Sequence, residues 1–117
     1  MDDFEARILT IELIDTWVVC CYAPATGDDL KRAYRVNTWN PAFGNYLERL
    51  KATGKSVILV GDTNIAPRRC DNTLPKDSGP AGFAPDEYPC STEEERESWK
   101  KHVVKDWLID TFAHLYP

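Results

Sequence analysis

Apolar and polar positions along this chain fall into two kinds of pattern. Val57, Ile58, Leu59 and Val60 form an uncharged, largely β-branched run between Gly54 and Gly61. It has no helical spacing, which predicts a strand buried on both faces. Gly61 permits a close turn at its end, so Asp62 and Asn64 emerge at the rim of whatever crevice lies beyond the carboxyl end of a sheet. From Arg7 to Ile14 the pattern alternates instead, with Leu9, Ile11 and Leu13 on one side and Ile8, Thr10 and Glu12 on the other. That predicts an outer strand. Asp15 and Thr16 make a turn, and the uncharged run Trp17 to Tyr22 returns from it. A hairpin follows, with its second strand the more deeply buried.

Between Leu30 and Ala52 the period changes. Phe43, Tyr46, Leu47 and Leu50 recur at i, i+3, i+4 and i+7, the mark of a helix with one buried stripe. Pro41 cannot continue an unbroken ladder, so Asn40-Pro41 predicts a kink or a restart with Asn40 as cap. Gly54 ends the helix. Strand, helix and strand in this order make a right-handed crossover, which sets the Trp17 and Val57 strands parallel in one sheet. The loop Ala23 to Asp29 then delivers Tyr22 to the same crevice as Asp62.

Pro67 to Ser91 holds Pro67, Pro75, Pro80, Pro85 and Pro89 with Gly79 and Gly82, too broken for regular structure. So long a loop in a compact domain is usually functional or disordered. Ser91-Thr92-Glu93-Glu94 reads as a capping box, and Glu93 to Glu97 as a solvated helix start rather than a metal cluster. Trp99, Val103 and Trp107 give that helix one buried face. Leu108, Ile109 and Phe112 follow and require something further to cover.

Composition narrows the class. At 117 residues the chain is at most one small domain, globular by its 43% hydrophobic content. No segment approaches the roughly 20 apolar residues of a membrane helix. The acidic start MDDFEAR lacks the basic and apolar regions of a secretory signal, so an intracellular product is expected. Cys20, Cys21, Cys70 and Cys90 have neither Cys-x-x-Cys nor histidine spacing, which predicts free thiols. The net charge of −5 opposes bulk attraction to nucleic acid. Lys31, Arg32 and Arg35, with Arg68 and Arg69, remain as local cations beside the strand ends. On spacing alone, Asp62 could equally cap a turn with Asn64 bonding its own backbone.

Further residues add to this pattern. GDTNIAPRRCD resembles the G-D-x-N-x-A segment of the exonuclease III type apurinic/apyrimidinic (AP) endonucleases, members of the endonuclease/exonuclease/phosphatase superfamily. Upstream, CYAPATG and YRVNTWNPAFGNYLERL are similar to the family's Y-x-P-x-x-G and Y-R-x-x-x-W-(D/N)-x-x-F. Downstream, AGFAPDE looks like A-G-F-T-P-x-E, and DTFAHLYP looks like D-(S/T)-F-R-x-L-(Y/H)-P. These blocks, in the family's order, span Tyr22 to Pro117.

The resemblance implies an α/β fold: about half of a four-layer α/β sandwich, with residues 1–117 as the central portion of one such domain. It implies hydrolysis of the phosphodiester 5′ to an abasic site in double-stranded DNA, with possible 3′ exonuclease or phosphodiesterase activity, using magnesium or manganese. Tyr22, Asp62 and Asn64 would be catalytic: Asp62 acting on the attacking water, Asn64 and Tyr22 donating to the phosphate. Asp62 and Asn64 would touch a second metal site, the principal glutamate ligand and the aspartate-histidine motif belonging to segments outside this chain. Lys31, Arg32, Arg68, Gly82 and Phe83 would face DNA. Pro80 in place of an asparagine, and Ala25, Asp28 and Asp29 in the loop after Tyr22, weaken that grip. The chain alone is expected to be inactive, its parent nuclear if eukaryotic and otherwise cytoplasmic. Another superfamily phosphoesterase, or a non-catalytic interaction fragment, are the alternatives.

Overall fold

A computed structural model describes residues 5–72 and 87–117. Three strands, β1 (Ile8–Glu12), β2 (Thr16–Tyr22) and β3 (Ser56–Asp62), form a mixed sheet in the order β1-β2-β3. β1 and β2 are an antiparallel hairpin closed by the Leu13 N–H on the Thr16 carbonyl at 2.8 Å. β2 and β3 are parallel, as the crossover requires, with Trp17 opposite Val57 and Tyr22 opposite Asp62. The connection runs through helix α1 (Asp29–Tyr34), a π-helical turn over Arg35–Trp39 and helix α2 (Asn40–Lys51).

The π turn resolves the conflict posed by Pro41. The Asn40 N–H bonds the Arg35 carbonyl five residues back, so the ladder widens just before proline instead of breaking. Asn40 is therefore not a cap. Its side chain is buried, accepting from Arg35 Nε at 2.7 Å and donating to Ser98 Oγ at 3.0 Å. The predicted stripe is the core: Phe43 and Leu47 are fully buried with Val19, Cys21, Trp39, Trp99 and Val103, while Tyr46 and Leu50 pack at the margin.

The expectation that β3 is buried on both faces is overturned. Val57 and Leu59 lie under the helices, but Ile58 is 49% and Val60 44% exposed. The register places them in two rows, Ile11-Val18-Ile58 and Leu9-Cys20-Val60, across a sheet face that no described element covers. An uncharged run reports that both faces are apolar; which face is covered depends on what packs there.

Helix α3 (Glu93–Trp99) begins one residue later than its predicted box. Thr92, not Ser91, is the cap, accepting from the Glu95 N–H at 3.3 Å, while Glu95 Oε2 takes the Thr92 N–H at 3.0 Å. Nor is the acidic run wholly solvated, since Glu95 is 1% exposed. A second π turn, Lys100–Val104, continues the helix, and helix α4 (Thr111–Leu115), unforeseen from the pattern, starts at the Asp110 cap. Ile109 just before it and Phe112 within it remain exposed.

All four cysteines are free, with Cys20 on the open face and Cys21 buried. Burial pushes the Cys21 thiol up from 9.0 to about 11. Since the folded pKa lies above the unfolded one, its contribution is intact below pH 9 and is lost as the pH rises through 11. At about 1.4 kcal/mol per pKa unit the loss amounts to ~3 kcal/mol. Urea unfolding at pH 8 and pH 11 should show that drop in the wild type and not in Cys21→Ala, after subtraction of their common pH trend.

Candidate active site at the carboxyl ends of β2 and β3

The two central strands end together. Tyr22 and Asp62 are register partners in the parallel pair, so their side chains leave the same face of the sheet on strands about 4.8 Å apart. Both are exposed, next along the bare face from Cys20 and Val60. Gly61 allows this close finish, with φ at +113° and an added Cβ only 2.2 Å from the Cys21 carbonyl oxygen. Arg7 reaches over the Tyr22 ring, its guanidinium carbon 5.2 Å from the ring centroid, and donates to the Tyr22 carbonyl at 3.3 Å.

Beyond β3 the chain turns sharply. Asn64 sits at φ +45°, its backbone N–H donating to Asp62 Oδ1 at 2.9 Å, so Asp62 does close a turn on itself. Among the described residues Oδ2 takes no hydrogen bond. The Asn64 side chain crosses to the other loop rather than bonding its own backbone, Nδ2 donating to the Ala23 carbonyl at 2.8 Å. The Ala23 N–H in turn meets the Asp62 carbonyl at 2.9 Å. Tyr22, Asp62 and Asn64 thus stand at two strand ends whose following loops are laced to each other.

Beneath them lies Arg35, 2% exposed and not the surface cation its charge suggests. Its Nη1 donates to the Pro24 carbonyl at 2.6 Å and the Asn64 carbonyl at 3.2 Å, and its Nη2 to the Thr63 carbonyl at 2.7 Å. The Trp39 and Trp99 rings flank it at 5.1 and 5.5 Å. A second buried polar group props the loop after β2: Thr26 donates to Glu95 Oε1, and the Cys90 N–H donates to Thr26 Oγ1 at 2.9 Å. Arg96 Nε ties the Ala66 carbonyl at 3.0 Å.

The cations predicted to face DNA are met by carboxylates. Lys31 Nζ is 3.7 Å from Asp28, Arg32 Nη1 3.0 Å from Asp29, and Arg68 Nη2 2.8 Å from Asp71. The hydrogen bond between the last two raises the Arg68 pKa and lowers that of Asp71. Such exposed pairs contribute little to stability. Gly82 and Phe83 lie outside the described residues.

Asp62 and Asn64 offer hard oxygen donors of the kind magnesium or manganese takes. Among the described residues no three His, Cys, Asp or Glu side chains gather. The pair fits part of a magnesium shell, which keeps several waters and uses one or two carboxylates.

No family model matches the chain. It is, however, 36% identical over 118 residues to the DNA-(apurinic or apyrimidinic site) endonuclease of Dictyostelium discoideum, covering 98% of this chain and 30% of that protein. The DNA repair nuclease APEX1 of Danio rerio is 34% identical over 98% of the chain, and the exodeoxyribonuclease of Bacillus subtilis 32% over 98%. Along its whole length the chain is similar to part of these nucleases. It spans 30% to 42% of the length of these relatives. The exonuclease III resemblance gives the buried residues a context: Arg35, Trp39, Asn40 and Phe43 of Y-R-x-x-x-W-N-x-x-F are all buried, Arg35 bonding the two loops and Asn40 holding Arg35. No helix of the described residues is long and apolar enough to cross a membrane.

Proposed function

We propose that this chain is the central portion of a divalent-metal-dependent DNA repair nuclease that hydrolyses the phosphodiester 5′ to abasic sites, with 3′ exonuclease or phosphodiesterase activity at the same site. The observation that carries the reading is the pairing of Tyr22 with Asp62 at one sheet edge, in a chain homologous to AP endonucleases along its length. Hydrolysis requires a water to lose a proton as it attacks phosphorus, while negative charge grows on the phosphate oxygens and the leaving alkoxide. Asp62 Oδ2, which takes no hydrogen bond among the described residues, orients that water and takes its proton. The Tyr22 hydroxyl and the second Nδ2 hydrogen of Asn64 donate to the phosphate oxygens. A bound magnesium would supply Lewis-acid stabilisation of the same charge, with Asp62 and Asn64 on its margin. Lys31, Arg32 and Arg68, freed from their carboxylates, face the DNA backbone together with Gly82 and Phe83.

The bare sheet face and the groove of about 690 Å³ along the outer edge of β3, between Val57 and Trp107, are the places a second sheet and a further strand of a four-layer sandwich would fill. On this account residues 1–117 lack part of their own domain and do not cleave by themselves. The same bare face favours one other reading, a non-catalytic interaction fragment.

The test is a duplex oligonucleotide with a single tetrahydrofuran abasic analogue, incubated with magnesium and the protein that contains this chain. Cleavage 5′ to the analogue, at least a hundredfold faster than on intact duplex and stopped by EDTA, is the expected result. The isolated 117 residues should give none. Equal rates on both duplexes would remove the repair assignment, and no cleavage by the containing protein would favour the interaction fragment.

A further inference from the structure

We propose that Arg35 is the positioning residue of the Asp62–Asn64 turn: by drawing the Thr63 carbonyl inward it turns the Asn64 N–H onto Asp62 Oδ1 and so sets the direction of the Asp62 carboxylate. The inference deepens the reading of Asp62 as the acting carboxylate and rests on it for its consequence, though not for its geometry. The link is the peptide between residues 63 and 64. In a planar trans peptide the C=O and N–H point opposite ways, so fixing one fixes the other. Arg35 Nη2 holds the Thr63 oxygen at 2.7 Å, and the Asn64 N–H on the far side of that peptide meets Asp62 Oδ1 at 2.9 Å. Oδ1 is thereby engaged on the protein side and Oδ2 is left for the crevice.

The guanidinium suits this task for reasons of shape and charge. It donates to four acceptors, Asn40 Oδ1 and the carbonyls of Pro24, Thr63 and Asn64, from a rigid planar fork. Asn40 on α2, Trp39 in the π turn and Trp99 on α3 hold the fork from the helical side, while its Nη atoms reach the loop carbonyls. Burial pushes the Arg35 pKa down from its usual value, yet an arginine stays charged under such desolvation where a lysine readily loses its proton. Because the Pro24 carbonyl belongs to the loop that follows Tyr22, one side chain spaces both halves of the site. Asn64 stands at φ +45°, a left-handed conformation that asparagine tolerates, which lets its N–H turn back toward Asp62.

Arg35→Lys retains a cation but not the fork. In the labelled protein that contains this chain, the Asn64 amide should exchange at least tenfold faster, and the Asp62 three-bond couplings should change from those of one rotamer to an average. Amides of Val19 and Leu59 in the β2–β3 ladder should keep their rates. In the cleaving protein, kcat should fall tenfold or more with KM little changed. A folded Arg35→Lys chain with wild-type Asn64 exchange and Asp62 couplings overturns the proposal. Should the variant not fold, the wild-type Nη protons decide: slow exchange supports the proposal, and exchange as fast as that of exposed Arg49 overturns it. The exchange and coupling data require no substrate, so they remain decisive even if Asp62 proves irrelevant to cleavage.

Discussion

Asp62→Asn in the protein that contains this chain is expected to slow cleavage at an abasic site by about 10²–10⁴-fold, the usual worth of a general base. The replacement is isosteric, and its amide oxygen still accepts the Asn64 N–H that Oδ1 accepts at 2.9 Å. The turn, the φ of Asn64 and the tie from Nδ2 to the Ala23 carbonyl therefore survive. What disappears is the negative charge and basicity of Oδ2. Asp62 is exposed and outside the core cluster, so stability should change by less than about 0.5 kcal/mol. Activity and stability thus separate in this one variant. A steady-state rate within tenfold of wild type would mean that the proton goes elsewhere and that Asp62 serves only its turn.

The parts of the fold that were legible in the sequence are those set by local period. Phe43 and Leu47 repeat at helical spacing and are fully buried, and the uncharged run after Trp17 pairs parallel to the Val57 strand because a helix lies between them. That order alone brings Tyr22 and Asp62 to one edge. Coverage of the sheet was not legible, because Ile58 and Val60 are apolar whether or not a second layer meets them. The two charges at the bottom of the site were misread for a related reason. Arg35 and Glu95 look solvated by type, yet each lies one turn before a buried tryptophan, Trp39 and Trp99 respectively. A charged residue at i−4 on an apolar stripe was the available signal: it must be buried with partners, and only the tertiary structure names them as the Thr63 carbonyl and the Thr26 hydroxyl. Spacing alone does not choose between Ser91 and Thr92 as cap, since Glu94 and Glu95 each lie three residues after one of them; the burial of Glu95 on the side of Trp99 goes with Thr92.

Gly44→Ala is expected to lower stability by about 3 kcal/mol, at the upper end of overpacking costs. Gly44 sits inside α2, where alanine would ordinarily improve a helix by about 1 kcal/mol, so intrinsic propensity predicts the opposite sign. Tertiary contact decides against it. An added Cβ would lie 1.8 Å from the His102 carbonyl oxygen and 2.7 Å from its carbon. Both are backbone atoms in the π turn that follows α3, so no rotamer change relieves the clash. The helices must separate by more than 1 Å, roughly, before ordinary van der Waals distance returns, and apolar side chains drawn apart by such a gap forfeit a quarter to a half of their attraction. The seam that opens carries Phe43, Leu47, Trp99 and Val103, and with them the helices that aim Arg35 at the loops. Gly27→Ala is the control, since an added Cβ there meets only the Lys31 ammonium at 4.0 Å. For a domain of this size, thermal unfolding should fall by ~10 °C or more in Gly44→Ala and scarcely move in Gly27→Ala. An unchanged midpoint in Gly44→Ala would mean that α2 and the π turn do not meet at that distance.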